Sequence, residues 1–396
     1  MPARIPLAFF TVSLANFLSF LNFAFFFLLP VWVLKQGGGE EAAGRIIGVA
    51  GLAGLIVLPA VGYLLDRMGR RRFLILGTAM GALTSLAFIG VDGIGWQIYA
   101  LRALQGVAFT CSFTGAQTLA VLFAPASRRA EALGWFGIST ILTHAISPAL
   151  GEEIVRRFSF DHMFACGAVV GVAAFLVSCL LPRPPELHAH PDDTPADRGM
   201  ARRAVIAACL AMLCYGFGFG SVQTFVPAMI TRLDLGRVGV FFTCWSISAV
   251  ATRIFLGRAS DRFGRRAVLV PAMATMSLAV AMLAFAHDLP MVLAAGLVFG
   301  LAQGLLYPTM NALVVDWSHP ENIGRTQSLF SGSYSLGISA CSFLFGTIVE
   351  NHGYAAMYVV SLAVTSIGLL FFVLRGPSDR TPAWPGAQAD ISSDEK

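Results

Sequence analysis

Charged side chains are scarce in this 396-residue chain, and their scarcity excludes most classes of water-soluble protein. Asp, Glu, Lys and Arg make up 12% of the residues, against roughly 25% in soluble domains. Hydrophobic residues make up 56%. One soluble core cannot bury so much apolar surface, because such cores stop growing near about 250–300 residues. The same composition excludes disorder, since disordered chains are polar and rich in charge.

The chain also lacks the patterns of metal, cofactor and nucleotide sites. Its seven Cys contain no CxxC pair, so neither a disulfide framework nor a zinc site is indicated. No GxxxxGK[ST] loop is present, which argues against ATP-driven pumping. We therefore predict no metal, no cofactor and no enzymatic activity.

The apolar residues form twelve runs, each long enough to cross a membrane as a helix, which takes about 20 residues. The runs cover 6–34, 44–65, 73–92, 96–121, 131–154, 161–181, 204–230, 237–257, 266–286, 290–316, 324–350 and 354–375. The sequence predicts an all-α integral membrane protein with twelve transmembrane helices. The expected units are a six-helix bundle (1–181), a cytoplasmic linker (182–203), a second six-helix bundle (204–375) and a disordered cytoplasmic tail (376–396).

Lys and Arg residues orient these helices. With both termini in the cytoplasm, 19 of the 27 basic residues fall on the cytoplasmic side and six in outer loops. Cytoplasmic loops of membrane proteins carry such an excess, so topology explains the net charge of +5 without nucleic acid as a partner.

A GxxxDRxGRR motif follows the second span of each half, at 62–71 and again at 257–266. Its carboxylate can pair with Arg or favour a helix N-terminus, and its later glycine permits a turn. Both halves therefore enter the membrane in the same direction, as in secondary transporters with a central site. The candidate gating residues are Gly62, Asp66, Arg67, Gly69 and Arg70 in the first copy, and Gly257, Asp261, Arg262, Gly264 and Arg265 in the second.

These loops, with Arg102-Ala-Leu-Gln105-Gly106 in the fourth span, resemble the major facilitator superfamily over residues 5–375, and its bacterial efflux permeases in particular. The resemblance implies two pseudo-symmetric six-helix bundles around a cavity lined by the first, fourth, seventh and tenth helices. It also implies that Asp66 locks the cytoplasmic gate against the eleventh helix. The alternative is that the motif only anchors the topology.

Arg102 is a charge within a span, where insertion costs about 2.5–3.5 kcal/mol, so it should face protein or a wet cavity. The family resemblance implies a cavity role linked to proton transfer for Arg102, with Gln105 on the same face. The alternative is a hydrogen-bonding hub. Arg253 lies near the cytoplasmic end of its span, where we expect it to reach the interface.

Other polar residues in the spans are candidates for the cavity, and interhelical hydrogen bonding is the alternative for each. They are Asn16 and Asn22 in the first span, Gln223 in the seventh, and Gln303, Tyr307 and Asn311 in the tenth. In the fifth span, His144 is either a proton relay or a neutral, hydrogen-bonded residue. Glu152 and Glu153 are either protonatable cavity groups or partners of Arg156 and Arg157.

The sequence favours a secondary transporter of the bacterial inner membrane that exports a small amphipathic organic molecule by alternating access, coupled to protons. The expected partners are the substrate, the lipid bilayer and protons, and the protein is expected to be a monomer. One alternative is proton-linked or facilitative uptake of a sugar, organic acid or other metabolite. Another is a non-transporting membrane sensor or scaffold on the same fold.

Overall fold

The computed structural model describes residues 5–125, 128–182, 200–318 and 323–377, and their regular elements are all helices. Residues 183–199 of the predicted linker and 378–396 of the predicted tail lie outside the described residues. The helices are α1 (Leu7–Phe25), α2 (Leu29–Lys35), α3 (Glu40–Met68), α4 (Arg70–Ala87), α5 (Trp96–Phe123), α6 (Arg129–Arg157), α7 (Phe160–Cys179), α8 (Met200–Arg232), α9 (Val238–Leu256), α10 (Ala259–Phe263), α11 (Arg265–Ala284), α12 (Leu289–Asp316) and α13 (Ile323–Arg375). A 3₁₀ turn, Phe26–Leu28, joins α1 and α2 into the first span.

Eleven helical segments among the described residues are long and apolar enough to cross a membrane. The last helix, α13, has 53 residues. A straight helix of that length extends about 80 Å, against about 30 Å for a hydrocarbon core. Its backbone leaves the helical region at Gly353 (φ 81°, ψ 172°), between the two last predicted spans. The prediction of twelve crossings therefore depends on the two arms of α13 and stays a prediction.

The repeated motif makes the same backbone turn in both halves. Gly69 immediately precedes α4 with φ 86°, and Gly264 immediately precedes α11 with φ 95°. Positive φ strains residues that carry a Cβ, so glycine suits this position. The expectation that these glycines permit a turn is confirmed.

The two halves pack along two helix pairs, α3 against α13 and α6 against α9. Small residues bring the backbones together. A Cβ at Gly44 of α3 would collide with the carbonyl oxygen of Ser342 in α13, and one at Gly239 of α9 would lie 2.6 Å from the Cα of Ala149 in α6. Close approach of this kind is how membrane helices gain packing energy.

The halves share a buried core near one face only. We call the face with the Gly69 and Gly264 turns the arginine face, and the face with the turns at 36–39, 233–237 and Gly353 the glutamate face. Toward the glutamate face, residues of both halves belong to one core, which includes Phe27, Phe242 and Phe345. Toward the arginine face, the N-terminal half has separate cores of its own. The contact between the halves is therefore tightest at the glutamate face.

Candidate functional site

Arg102 is held inside the N-terminal half. Its side chain is buried and its Nε donates to the carbonyl oxygen of Ile46, 3.4 Å away. Its guanidinium also donates to Oε1 of Gln105 and lies 5.8 Å from the ring centre of Phe23 and 5.9 Å from that of Phe26. These contacts fit the hydrogen-bonding hub, while Nε2 of Gln105 is buried without a partner among the described residues.

Arg253 is half-buried, so the prediction that it reaches the interface stays a prediction. Its Nε is buried and has no hydrogen-bond partner in the described part of the chain. Its Nη1 lies so close to Gly137 of α6 that a Cβ there would be 2.5 Å away. The neighbours Ile254 and Phe255 take the exposed side of α9, so the helix turns Arg253 toward the other half.

Three tyrosines from three helices pack together near Arg253, and we call them the tyrosine cluster: Tyr215 (α8), Tyr307 (α12) and Tyr334 (α13). The Tyr334 ring lies 5.7 Å from that of Tyr215 and 5.5 Å from that of Tyr307. Arg253 lies near Tyr215 and Tyr307. The Tyr215 hydroxyl is buried with no partner among the described residues.

The aromatic lining continues from the cluster to the middle of the interface. Phe219 lies 5.6 Å from Tyr334 and 5.7 Å from Trp245 between ring centres. His144 of α6 meets Trp245 of α9 across the interface at 5.0 Å, and its Nδ1 lies 3.2 Å from the carbonyl oxygen of Thr140. His144 therefore lies where the two halves meet.

Two asparagines of α1 bond within the N-terminal half. Asn22 donates to Oγ of Ser85 at 2.7 Å and to the carbonyl oxygen of Gly167 at 2.6 Å, so it faces α4 and α7. These bonds favour the alternative of interhelical hydrogen bonding for Asn22, and its assignment to the cavity stays a prediction. Asn16 donates to Thr140 at 3.0 Å, and its Oδ1 is buried without a partner in the described ranges.

The candidates on α8 and α12 differ in their surroundings. Gln303 reaches the Tyr334 side chain, and its Oε1 has no partner among the described residues. Gln223 is half-buried, although its neighbours between 218 and 230 are buried. Asn311 accepts a hydrogen bond from Gln327 and so links α12 to α13.

Two carboxylates bind helix N-termini across the interface at the glutamate face, and we call these contacts the glutamate latches. Glu152 of α6 accepts from the backbone N–H groups of Val238 (3.1 Å) and Gly239 (2.7 Å) at the start of α9. Glu350 of α13 accepts from the backbone N–H of Glu41 (3.0 Å) at the start of α3. Unpaired N–H groups and the helix dipole favour an anion there. Neither alternative predicted for Glu152 describes this contact.

Further polar contacts surround the latches. Glu153 pairs with Arg156 at 2.6 Å and Arg157 at 2.5 Å, which confirms the ion-pair alternative for this residue. Across the interface, Tyr354 donates to Glu40 at 3.1 Å and Arg232 lies 3.5 Å from the same carboxylate. The glutamate face thus joins the halves by charge as well as by packing.

The loop motif forms a network within the C-terminal half. Arg265 donates to Asp316 at 3.0 Å, to Ser260 at 2.8 Å and to Asp261, and these bonds link α10, α11 and α12. The Arg262 guanidinium lies 5.3 Å from the Phe263 ring centre. The surroundings of Gly62 and the side chain of Asp66 lie outside the described residues, so the Asp66 gate lock stays a prediction. Arg70 is half-buried, and Arg67 is exposed at the end of α3.

Sequence reasoning missed several residues that the structure brings to the interface. Tyr334 lies among serines that favour simple helix packing, and Trp245 and Arg253 share a face of α9, two turns apart. The Glu350 contact could have been found from the repeat. Glu350 follows Glu152 by 198 residues, and Gly239 follows Glu41 by the same 198 residues, so the two glutamates and their two partners occupy equivalent positions in the halves. Comparison of the two halves would have identified the second latch.

Comparison with known proteins gives a consistent result. Residues 12–241 and 208–393 match the sequence model of the Major Facilitator Superfamily. The staphylopine export protein of Staphylococcus aureus is 22% identical over 89% of this chain and 91% of its own length. The multidrug resistance protein MdtG of Klebsiella pneumoniae is 25% identical over 92% and 91%. A crystal structure of a D-xylose–proton symporter superposes with a TM-score of 0.77 at 16% identity, over 95% and 99% of the two chains.

Proposed function

The chain belongs to the major facilitator superfamily, and on that premise we propose that it exports a small amphipathic organic molecule by alternating access in exchange for protons. It is a multi-pass transporter of the bacterial inner membrane and not an enzyme. One chain carries both halves of the interface, which supports a monomer as the working unit.

The observation that carries this proposal is the asymmetry of the interface. The halves share a core and two latches at the glutamate face, while buried polar groups without partners among the described residues lie deeper in the bundle. The excess of Lys and Arg on the arginine face supports a cytoplasmic location for that face. A state closed at the glutamate face would then face the cytoplasm, where an exporter takes up its substrate and an importer releases it.

The chemistry of the lining supports an amphipathic substrate. Rings of Phe219, Trp245 and Tyr334 offer apolar area, and the Tyr215 hydroxyl and Gln303 amide offer hydrogen bonds. Ligand sites commonly combine mostly apolar walls with a few placed polar groups. Relatives named for staphylopine export and for multidrug resistance support export as the direction.

Proton coupling is the finer part of the proposal. His144 lies at the interface of the halves and is the titratable side chain best placed to respond to their movement. Arg102 lies within the N-terminal half, bonded to Ile46 and Gln105, and would contribute a positive charge to the interior of that half. We expect Arg102→Ala to lower transport at least tenfold, because Gln105 and the Ile46 carbonyl lose their donor.

Accumulation in inverted membrane vesicles tests the function. The probes are fluorescent amphipathic dyes in anionic, neutral and cationic forms, with and without a proton gradient. We expect at least one dye to accumulate and an uncoupler to abolish the accumulation. Arg258→Ala serves as the matched control, because Arg258 is exposed at the end of α9.

Three outcomes would contradict the proposal in different ways. Accumulation that continues in the presence of the uncoupler would contradict proton coupling. Uptake seen only in right-side-out vesicles would favour import of a metabolite. No movement of any dye in either orientation would favour a sensor or scaffold.

A further inference from the structure

The buried interior of this bundle carries positive charge without carboxylates. Every Asp and Glu of the described ranges lies in a loop or within a few residues of a helix end or of the break at Gly353. Arg102, by contrast, is buried, and Arg253 is half-buried with a buried Nε. No carboxylate among the described residues forms an ion pair with either one. The interior therefore holds cationic groups whose counter-charge the described protein does not supply.

The two arginines differ in how far their own half compensates them. Arg102 has the Ile46 carbonyl, the Gln105 amide and two phenylalanine rings around its guanidinium. Arg253 is half-buried and lies near Tyr215 and Tyr307 of the tyrosine cluster. Its buried Nε donates to no described residue. A buried charge that lacks a partner is strongly unfavourable, so Arg253 is the position where an outside anion would be most stabilised.

Other donors without acceptors lie along the same wall. The Tyr215 hydroxyl and the Trp245 Nε1 are buried and have no partner in the described part of the chain. Trp245 and Arg253 are eight residues apart on α9, so they lie on one face two turns apart. Phe219 and Tyr334 form the aromatic surface between Trp245 and Tyr215. This surface therefore has hydrogen-bond donors at both ends, Trp245 at one and Tyr215 with Arg253 at the other, and aromatic rings between them.

From this arrangement we propose that the substrate is an organic anion with a flat apolar body, whose acidic group binds Arg253 and Tyr215. The body lies along Phe219 and Tyr334, and an acceptor at its far end takes the Trp245 N–H. A carboxylate, sulfonate or phosphate supplies the acceptor lone pairs that these donors lack. This inference rests on the proposed function and specifies the substrate class of the same site. An inside-negative membrane potential also favours outward movement of an anion.

Binding to purified full-length protein tests the charge preference directly. The probes are 2-naphthoate, 2-naphthamide and 2-naphthylmethylammonium, which share one aromatic body and differ in charge. Quenching of tryptophan fluorescence reports binding. We expect 2-naphthoate to bind at least tenfold more tightly than the amide or the ammonium. Arg253→Gln should remove that preference, Arg253→Lys should keep part of it, and Arg258→Gln should leave it unchanged.

Tyr215→Phe gives a second test that removes one hydroxyl and keeps the ring. It should weaken 2-naphthoate binding severalfold while leaving the amide unaffected. The inference is overturned if the amide or ammonium binds as tightly as the acid, if no probe binds, or if Arg253→Gln keeps the preference. If dyes still accumulate in vesicles, such a result contradicts the substrate class and leaves the transport proposal intact. If no dye accumulates, the transport proposal itself is contradicted.

Discussion

Polar side chains in these helices fall into two groups, according to whether their hydrogen bonds are filled. Asn22 has both amide hydrogens bonded to buried oxygen atoms of neighbouring helices. Tyr215, Trp245 and Arg253 have buried donors with no acceptor among the described residues. Filled groups hold helices of one half together, and unfilled groups are available to a ligand.

Asn22→Ala should destabilise the protein without removing transport. The change leaves the Gly167 carbonyl and the Ser85 hydroxyl without their donor, at an expected cost of about 1 kcal/mol in the free energy of unfolding. Thermal unfolding of the detergent-solubilised protein measures the loss. Asn351→Ala is the control, because Asn351 is exposed and bonds within its own helix. A loss of transport at unchanged stability would instead support the assignment of Asn22 to the cavity.

At the scale of helices, the ends of α3 and α9 determine how the halves meet. Each begins at the glutamate face and receives a carboxylate from the opposite half, from Glu350 and Glu152 respectively. The two contacts occupy equivalent places in the repeat. An alternating-access cycle has to break both latches whenever the glutamate face opens, so they bias the protein toward the state closed at that face.

Glu152→Gln and Glu350→Gln should each shift the equilibrium toward opening at the glutamate face. A neutral amide loses the charge-assisted contact with the helix N-terminus, an effect of about 1 kcal/mol, or roughly fivefold in population. Ser342→Cys, placed in an otherwise cysteine-free chain, reports the opening, because Ser342 is fully buried against Gly44. Its labelling by a membrane-impermeant maleimide should rise in both variants.

Glu131→Gln is the matched control for the latches. Glu131 lies on α6 like Glu152, but it pairs with Arg128 at 2.6 Å at the arginine face. Its loss should not change the labelling of a cysteine at 342. Equal labelling in all three variants would show that the latches do not govern closure.

At the scale of the whole molecule, the repeat requires both loop motifs on one side of the membrane. The turns at Gly69 and Gly264 lie on the arginine face, because six helices long enough to span, α4 to α9, separate them and an even number of crossings returns the chain to the same side. The excess of Lys and Arg on this side predicts that it faces the cytoplasm.

Cysteines introduced at Arg70 and Arg265 should both be protected from an impermeant maleimide in intact spheroplasts and labelled in inverted vesicles. Cysteines at Gln36 and Asp234, in the turns of the glutamate face, should show the opposite pattern. The native cysteines are replaced beforehand. Labelling of positions 70 and 265 from different sides would contradict parallel halves and with them the alternating-access mechanism.

Features that depend on local composition could be predicted from the amino-acid sequence alone. Apolar length sets where a chain can enter lipid, so the predicted spans lie close to the helices, including the boundary at Gly353. The paired motif was recognisable because few residue types can form a turn at a membrane edge. Arg102 was recognisable because a charge inside a span is rare. These features require no knowledge of which helices are neighbours.

The packing of the helices, by contrast, determines which side chains meet. A helix can be rotated about its axis with little change in its own hydropathy, so the sequence did not show that Arg253 faces α6, that Asn22 faces α4 and α7, or that Tyr334 joins Tyr215. Glu152 likewise found its partners among backbone N–H groups, which carry no mark in the sequence. Packing between helices sets these rotations, because the glycine contacts between the halves allow close approach along particular faces only.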